Sequence, residues 1–205
     1  MPASQYKIVL IGTANVGKTS ILKRLKEGPS FDINSIPHTI NMSIYSIAYM
    51  PPNAPSIILN YWDTAGQERF ESLGPMYYRD SNAAVAVFDV SELQTFEKAK
   101  HYIENFLSNS GSDSSVIVVA NKIDLVPSEQ LSETLEEIET WCKGKSYPLF
   151  LASALKGTGL QEIHNYLGKK FNQDNYAGVE VKESKAEGLA QVPEPNDQKK
   201  KGCCN

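Results

Sequence analysis

Cysteine is scarce, with three in 205 residues, and the three are too unevenly placed for a disulfide framework. Cys142 stands alone in the body of the chain while Cys203 and Cys204 are adjacent near its end, so a reducing compartment is expected. No run approaches the roughly 18 apolar residues needed to span a bilayer. Met1-Pro2-Ala3-Ser4-Gln5 also lacks the basic and apolar regions of a secretory leader, which makes the cytosol the expected site of synthesis. An excess of basic charge is missing too. The 20 Lys and Arg residues face 24 Asp and Glu, for a net charge of -4, which argues against binding nucleic acid through a general basic surface. What the chain does have is 41% hydrophobic and 21% charged residues, enough for one ordinary core and hence one folded domain.

Short apolar runs alternate with longer segments of helical spacing, the pattern of a mostly parallel sheet covered by helices on both faces. Strands are expected at Ile8 to Ile11, Ala83 to Val87, Val116 to Ala120 and Pro148 to Leu151. Helices are expected at Lys18 to Lys26, Glu92 to Leu107, Glu129 to Cys142 and Leu160 to Phe171. Asn41 to Tyr49 and Ser56 to Trp62 flank the proline-rich turn Met50-Pro51-Pro52-Asn53-Ala54-Pro55 and read as an antiparallel hairpin. The expected class is therefore α/β, with six strands. After about Asn172 the composition turns to charge, Gly and Pro with no sustained period, too little apolar surface to offset the entropy of ordering. The expected division is a domain over 1–172 and a flexible tail over 173–205, the alternative being a last helix that runs on through Val179.

Gly12-Thr13-Ala14-Asn15-Val16-Gly17-Lys18-Thr19 fits the phosphate-loop pattern of Gly, four residues, Gly, Lys, then Ser or Thr. Its glycines allow positive φ and a close backbone approach, so that successive N–H groups converge on phosphate oxygens at the start of the following helix. Lys18 would set its ammonium on the β- and γ-phosphates, and Thr19 would offer a hydroxyl to Mg²⁺, which prefers oxygen ligands. The plainer alternative is a glycine-rich turn with an exposed lysine, but the match sits on the expected strand–helix boundary. The base is read elsewhere. Asn121-Lys122-Ile123-Asp124 follows an apolar strand, and a carboxylate at Asp124 can accept from the two donors that guanine carries on one edge and adenine lacks.

With Trp62-Asp63-Thr64-Ala65-Gly66-Gln67-Glu68-Arg69-Phe70 added, the chain resembles the small GTPases of the Ras superfamily, which have a P-loop NTPase fold, over most of residues 5 to 172. The resemblance implies that Ala14, Asn15, Val16, Gly17, Lys18, Thr19 and Ser20 surround the phosphates. It implies Mg²⁺ held by Thr19, by Thr39 when GTP is bound, and through a water by Asp63. Gly66 would donate its N–H to the γ-phosphate, and Gln67 would be the catalytic residue that orients the attacking water. Asn121, Lys122, Asp124 and the loop Ser153-Ala154-Leu155 would contact the base, the Ala154 N–H meeting the guanine carbonyl, and Phe31 would lie across its face. Leu155 departs from the family, which usually has lysine there. Ala14 sits nearest the reacting phosphate, where its methyl group could crowd Gln67. Turnover on the order of 10⁻⁴ to 10⁻² per second is therefore expected, rising roughly 10³- to 10⁵-fold when a partner inserts an arginine.

Tyr77-Tyr78-Arg79 and the terminal Lys199-Lys200-Lys201-Gly202-Cys203-Cys204-Asn205 narrow the resemblance to the Rab branch, and Ser72 to Arg79 looks most like its endosomal members. Membership implies a GTP/GDP switch in vesicle trafficking and endocytosis on the cytosolic face of an endomembrane, cycling with the cytosol. Its partners would be an exchange factor, a GTPase-activating protein, a GDP-dissociation inhibitor and effectors. Cys203 and Cys204 would carry two prenyl chains, enough for stable anchoring where one gives only marginal binding. Trp62 and Tyr77 match two of a Rab's three effector-facing aromatics, the third position being Ile44, and Asn41 replaces a usual Gly. Core packing is the plainer account of Trp62 and Tyr77. Two other classes stay open: a GTP-binding scaffold without hydrolysis, and a phosphoryl-transfer kinase, for which no acceptor site or lid arginines are found.

Overall fold

The computed structural model describes residues 3–32, 39, 42–52, 54–64 and 74–173. Strand β1 (Gln5–Ile11) sends Ile8 and Leu10 into one apolar cluster and Val9 and Ile11 into another, because successive side chains of a strand point to opposite faces. A strand buried on both faces must be apolar throughout, and β4 (Ala83–Asp89) is buried at every position. By contrast β3 (Ile57–Asp63) alternates buried with half-buried residues, and β2 (Ser43–Tyr49) at the edge is mostly open.

With β5 (Ser115–Asn121) and β6 (Leu149–Leu151), these strands form one six-stranded sheet in the order β2-β3-β1-β4-β5-β6. Every neighbouring pair is parallel except β2 with β3, whose antiparallel register runs from Ser43 opposite Asp63 to Tyr49 opposite Ile57. The proline-rich turn thus closes the expected hairpin. On one face lie α1 (Lys18–Glu27) and α5 (Leu160–Gln173), through Ile21, Leu22, Ile163 and Leu167. On the other lie α2 (Gly74–Tyr78), α3 (Gln94–Asn109) and α4 (Ser128–Lys145), through Tyr78, Phe96, Ile103 and Ile138. From β1 the chain passes to β3 on one side and later returns to β4 on the other. The loops at the carboxyl ends of these strands therefore border the crevice where open α/β sheets take ligands.

Several helix ends differ from expectation by one to three residues. Helix α3 begins at Gln94, two residues late, because Thr95 and Phe96 donate their amides to the Glu92 and Leu93 carbonyls in a turn of their own. Helix α4 continues past Cys142 to Lys145, where Ser146 takes a left-handed conformation and donates its N–H to the Cys142 and Lys143 carbonyls. Helix α5 continues to Gln173. The short α2 was not legible, since five residues with Pro75 near the start show no period. It is held by Tyr78, whose ring meets Phe106 edge-on at 5.5 Å. The tail reading falls on residues outside the described ones. Cys142 is buried, and burial, with Glu139 nearby, pushes its thiol up to about 11, which leaves it inert as a nucleophile.

One buried polar contact joins α5 to the hairpin. His164, 3% exposed, donates from Nε2 to the Ala48 carbonyl at 3.2 Å, so its Nδ1 accepts the Tyr61 hydroxyl at 2.9 Å. Burial holds its pKa below the ordinary value, despite the Ala48 bond. The unfolded chain therefore binds this proton more readily than the folded one. The contribution to stability is complete above the unfolded value of about 6.5 and is lost as pH falls from there toward the folded value. The loss is about 1.4 kcal/mol for each unit of depression. Urea titrations between pH 7.5 and 5 should show a flatter stability profile for His164→Gln than for the native chain; parallel profiles would exclude this role.

Candidate nucleotide site

The loop between β1 and α1 has the backbone that its glycines predict. Gly12 lies at φ 138° and Gly17 at φ 97°, conformations that L side chains rarely adopt, and a Cβ would meet the Val87 carbonyl oxygen at Gly12 and the Asn121 amide at Gly17. Asn15, also left-handed at φ 64°, completes the curl. No side chain caps the start of α1 and no acidic residue stands in its first turn, whereas α3, α4 and α5 carry Glu97, Glu129 and Glu162 there. The free N–H groups and positive dipole end of α1 therefore face the loop without a competing carboxylate, which suits an anion.

Lys18 is 5% exposed and its ammonium donates to the Gly12 and Thr13 carbonyls, both at 2.8 Å. Burial lowers its pKa to about 8, against the opposing charge of Asp63. Val16 is buried beneath the loop, and Ser20 follows Thr19 on α1. Beside the loop a cleft of about 670 Å³ is lined by Thr13, Ala14, Asn15, Glu92, Lys98 and Tyr102, among others. Ala14 thus faces open space on the α3 side.

Oxygen atoms converge at the start of α1. The Thr19 hydroxyl donates to Asp63 Oδ2 at 2.7 Å and lies 2.6 Å from the Thr39 hydroxyl. Asp63 is 1% exposed, and its other oxygen, Oδ1, is buried with no hydrogen-bond partner among the described residues. Burial pushes its carboxyl up, partly offset by the Thr19 bond and by Lys18 and Lys23. An orphaned carboxylate oxygen beside two hydroxyls is a hard-oxygen set that fits Mg²⁺. Next along the chain, the Thr64 hydroxyl bonds the Leu10 carbonyl at 2.7 Å and fixes the exit from β3 against β1.

The segments expected to read the base meet at the ends of β5 and β6. Asn121, 1% exposed, donates to the Val16 carbonyl at 2.7 Å and accepts from the Ala154 N–H at 3.2 Å. Its side chain ties the loop before α1 to the loop after β6, and the Ala154 amide expected to face the base donates to Asn121 instead. The Ser153 hydroxyl donates to Asp124 Oδ1 and accepts the Lys156 N–H at 3.0 Å. That bond holds the carboxylate by one of its two oxygens. Leu155, at 46%, is exposed on the rim. Phe31 is 8% exposed, yet among the described residues it joins neither apolar cluster.

Two residues of the site escaped the sequence reading. The Lys122 ammonium pairs with Asp89 at 2.6 Å, and the Ser91 hydroxyl and N–H both bond the other Asp89 oxygen. An acidic residue closing an otherwise apolar strand was the available signal. On the outer face, Ile44 is 49% exposed and sits opposite Trp62 across the hairpin. Trp62 and Tyr77 are partly buried against the α3 side of the core, with the Lys7 ammonium 4.1 Å from the Trp62 ring centroid, so packing accounts for part of both residues. Gly66, Gln67, Asn41, Cys203 and Cys204 lie outside the described residues.

The sequence matches the Ras family over residues 7–173. It is 32% identical over 214 residues to the Ras-related protein Rab-21 of Mus musculus, covering 99% of this chain and 93% of that protein. A probable Rab-related GTPase of Acanthamoeba polyphaga mimivirus is 33% identical over 174 residues, 84% of this chain and 78% of its own length. The GTP-binding protein YPT53 of Saccharomyces cerevisiae is 33% identical over 174 residues, 83% and 78% of the two chains. The loop before α1, the oxygen cluster of Thr19, Thr39 and Asp63, and the brace at Asn121 come together at the carboxyl ends of the strands, and the chain belongs to the Ras family as a small GTPase of the Rab group.

Proposed function

We propose that the chain is a membrane-anchored switch that regulates vesicle trafficking, releasing its effectors when GTP is hydrolysed. The observation that carries this reading is the 2.6 Å approach of the Thr39 hydroxyl to Thr19, since it couples an otherwise separate loop to the phosphate site. In this reading Lys18 and the N–H groups from Ala14 to Ser20 bind the phosphates, while Asn121, Lys122, Asp124, Ser153 and Ala154 form the guanine slot. Phe31 and Leu155 would supply apolar walls.

Thr19, Thr39 and Asp63 would hold Mg²⁺, which when bound supplies charge for the β- and γ-phosphates. Lys18 adds a second positive charge and the loop amides add fixed dipoles, so the site is organised before charge develops. Gln67 orients the attacking water, and the Gly66 N–H contacts the γ-phosphate. Loss of that phosphate releases Thr39 and Gly66, and partners that read the two loops dissociate. Ile44, Trp62 and Tyr77 form the face that such effectors read. Exchange factor, activating protein and GDP-dissociation inhibitor act on the same cycle.

Residues 174–205, beyond the end of α5, would serve as a tether, with prenyl chains on Cys203 and Cys204 and Lys199 to Lys201 adding about 1 kcal/mol each near an anionic leaflet. The resemblance of Ser72 to Arg79 to endosomal Rabs favours an endosomal membrane. Phosphate release from the purified chain, alone and with an activating protein, tests the reading. We expect slow turnover that the activating protein speeds by at least about 10³-fold, and Gln67→Leu should abolish the acceleration while leaving GTP bound. Unchanged release by that variant would remove Gln67 from its role.

A further inference from the structure

The Asp89 carboxylate is nearly buried, 7% exposed, and divides its two oxygens between two tasks. Oδ1 accepts the Ser91 N–H at 2.9 Å and the Ser91 hydroxyl at 2.6 Å, which fixes it to the turn leading into α3. Its backbone N–H is held by the Thr95 hydroxyl at 2.9 Å, so the turn is satisfied without Oδ2. Oδ2 reaches instead across the sheet to the Lys122 ammonium at 2.6 Å. Asp89 and Asn121 are register partners at the ends of β4 and β5, so Lys122 is the first residue beyond the ladder.

Lys122 itself is left-handed at φ 66°, a conformation that costs energy for any residue with a Cβ and persists only where surroundings fix it. Its neighbours are locked already: Val90 donates to the Asn121 carbonyl at 3.0 Å and Leu125 to the Lys122 carbonyl at 2.9 Å. The long side chain is the part that would otherwise sample many rotamers, and it is 31% exposed. Burial opposes ionisation of Asp89, but the bonds from Lys122 and Ser91 outweigh it and hold the carboxyl below its ordinary range. The anion that anchors Lys122 is therefore present throughout the neutral range.

We infer that Asp89 is a positioning residue for nucleotide retention, pinning the Lys122 ammonium so that the side chain stands preformed as a wall of the guanine slot. This rests on the guanine-site reading above. An ordered wall contributes to binding by removing the entropy cost of ordering it when nucleotide arrives, so its loss appears mainly as faster release. Asp89→Asn keeps the shape and can keep the Ser91 bonds while removing the charge that holds Lys122.

The test is a double-mutant cycle on release of a fluorescent GDP analogue from the Mg²⁺-loaded full chain. Asp89→Asn should speed release about tenfold in the native background and less than about twofold in a Lys122→Met background, as expected for directly coupled residues. Equal acceleration in both backgrounds would mean that Asp89 only supports the turn and would overturn the inference, as would no acceleration. If Asp89→Asn does not fold, as judged by circular dichroism, Ser91→Ala takes its place. It removes the hydroxyl bond to Oδ1 but keeps the N–H bond and the charge, and should give a smaller acceleration that also depends on Lys122. Failure of the native chain to prefer GDP over ADP would overturn the guanine reading itself, and the inference with it; a native preference for GDP with no coupling overturns the inference alone.

Discussion

Replacing Lys18 with methionine is expected to weaken GTP and GDP binding by about 10²- to 10³-fold. The native ammonium is enclosed by the phosphate loop and bonded to the Gly12 and Thr13 carbonyls, so it is already in place when a phosphate arrives. Enclosure disfavours its charge, which is why its pKa falls to about 8. An anion at the mouth of the loop favours the charged form, so part of the cost of burying Lys18 is returned on binding. Methionine fills nearly the same volume without a donor. It removes two charge-assisted bonds to phosphate, roughly 3–4 kcal/mol in all. Equilibrium titration with a fluorescent nucleotide measures the loss, and affinity within threefold of native would show that Lys18 serves only to close the loop.

The second large effect is a change of base. Asp124→Asn should lower affinity for GTP by about 10²- to 10⁴-fold, the range expected when two bonds to a charged acceptor are lost. The same substitution should admit xanthosine triphosphate. The direction follows from Ser153, whose hydroxyl donates to Asp124 Oδ1 and would select the oxygen of an asparagine for that bond. The amide nitrogen then faces the slot, where guanine presents an amino group that clashes electrostatically and xanthine presents a carbonyl that accepts. Competition between the two triphosphates measures the swap. If Asp124→Asn,Ser153→Ala prefers xanthine as strongly as Asp124→Asn, the orienting role of Ser153 is wrong.

The phosphate loop was legible in the sequence because its geometry is local. Left-handed backbone at Gly12 and Gly17, and a lysine and a threonine on the first turn of a helix, are fixed by eight consecutive residues. The strands were legible for a related reason. Burial on both faces demands an unbroken apolar run, as in β4, and a hairpin needs its proline-rich turn. Helix α2 was not, because it is too short to show a period and is stabilised by a contact between Tyr78 and Phe106, distant in sequence. The residues expected to read the base stand in the sequence as a motif, but what holds them in place does not. Asn121 proves to be a brace between Val16 and Ala154, and Asp124 to be aimed by Ser153 from another loop.

Sequence alone therefore determined the class of fold, the curled backbone of the loop before α1 and the kinship that names the reaction. These depend on residue type at fixed short spacing, which the chain carries with it before folding. Tertiary structure decided what holds those residues still. The oxygens of Thr19, Thr39 and Asp63 meet although 20 to 44 positions separate them from Thr19, and Lys122 finds Asp89 only because β4 and β5 lie side by side in register. His164 reaches the hairpin across the sheet in the same way. Pairings of that kind depend on which strands become neighbours, and no local spacing encodes that.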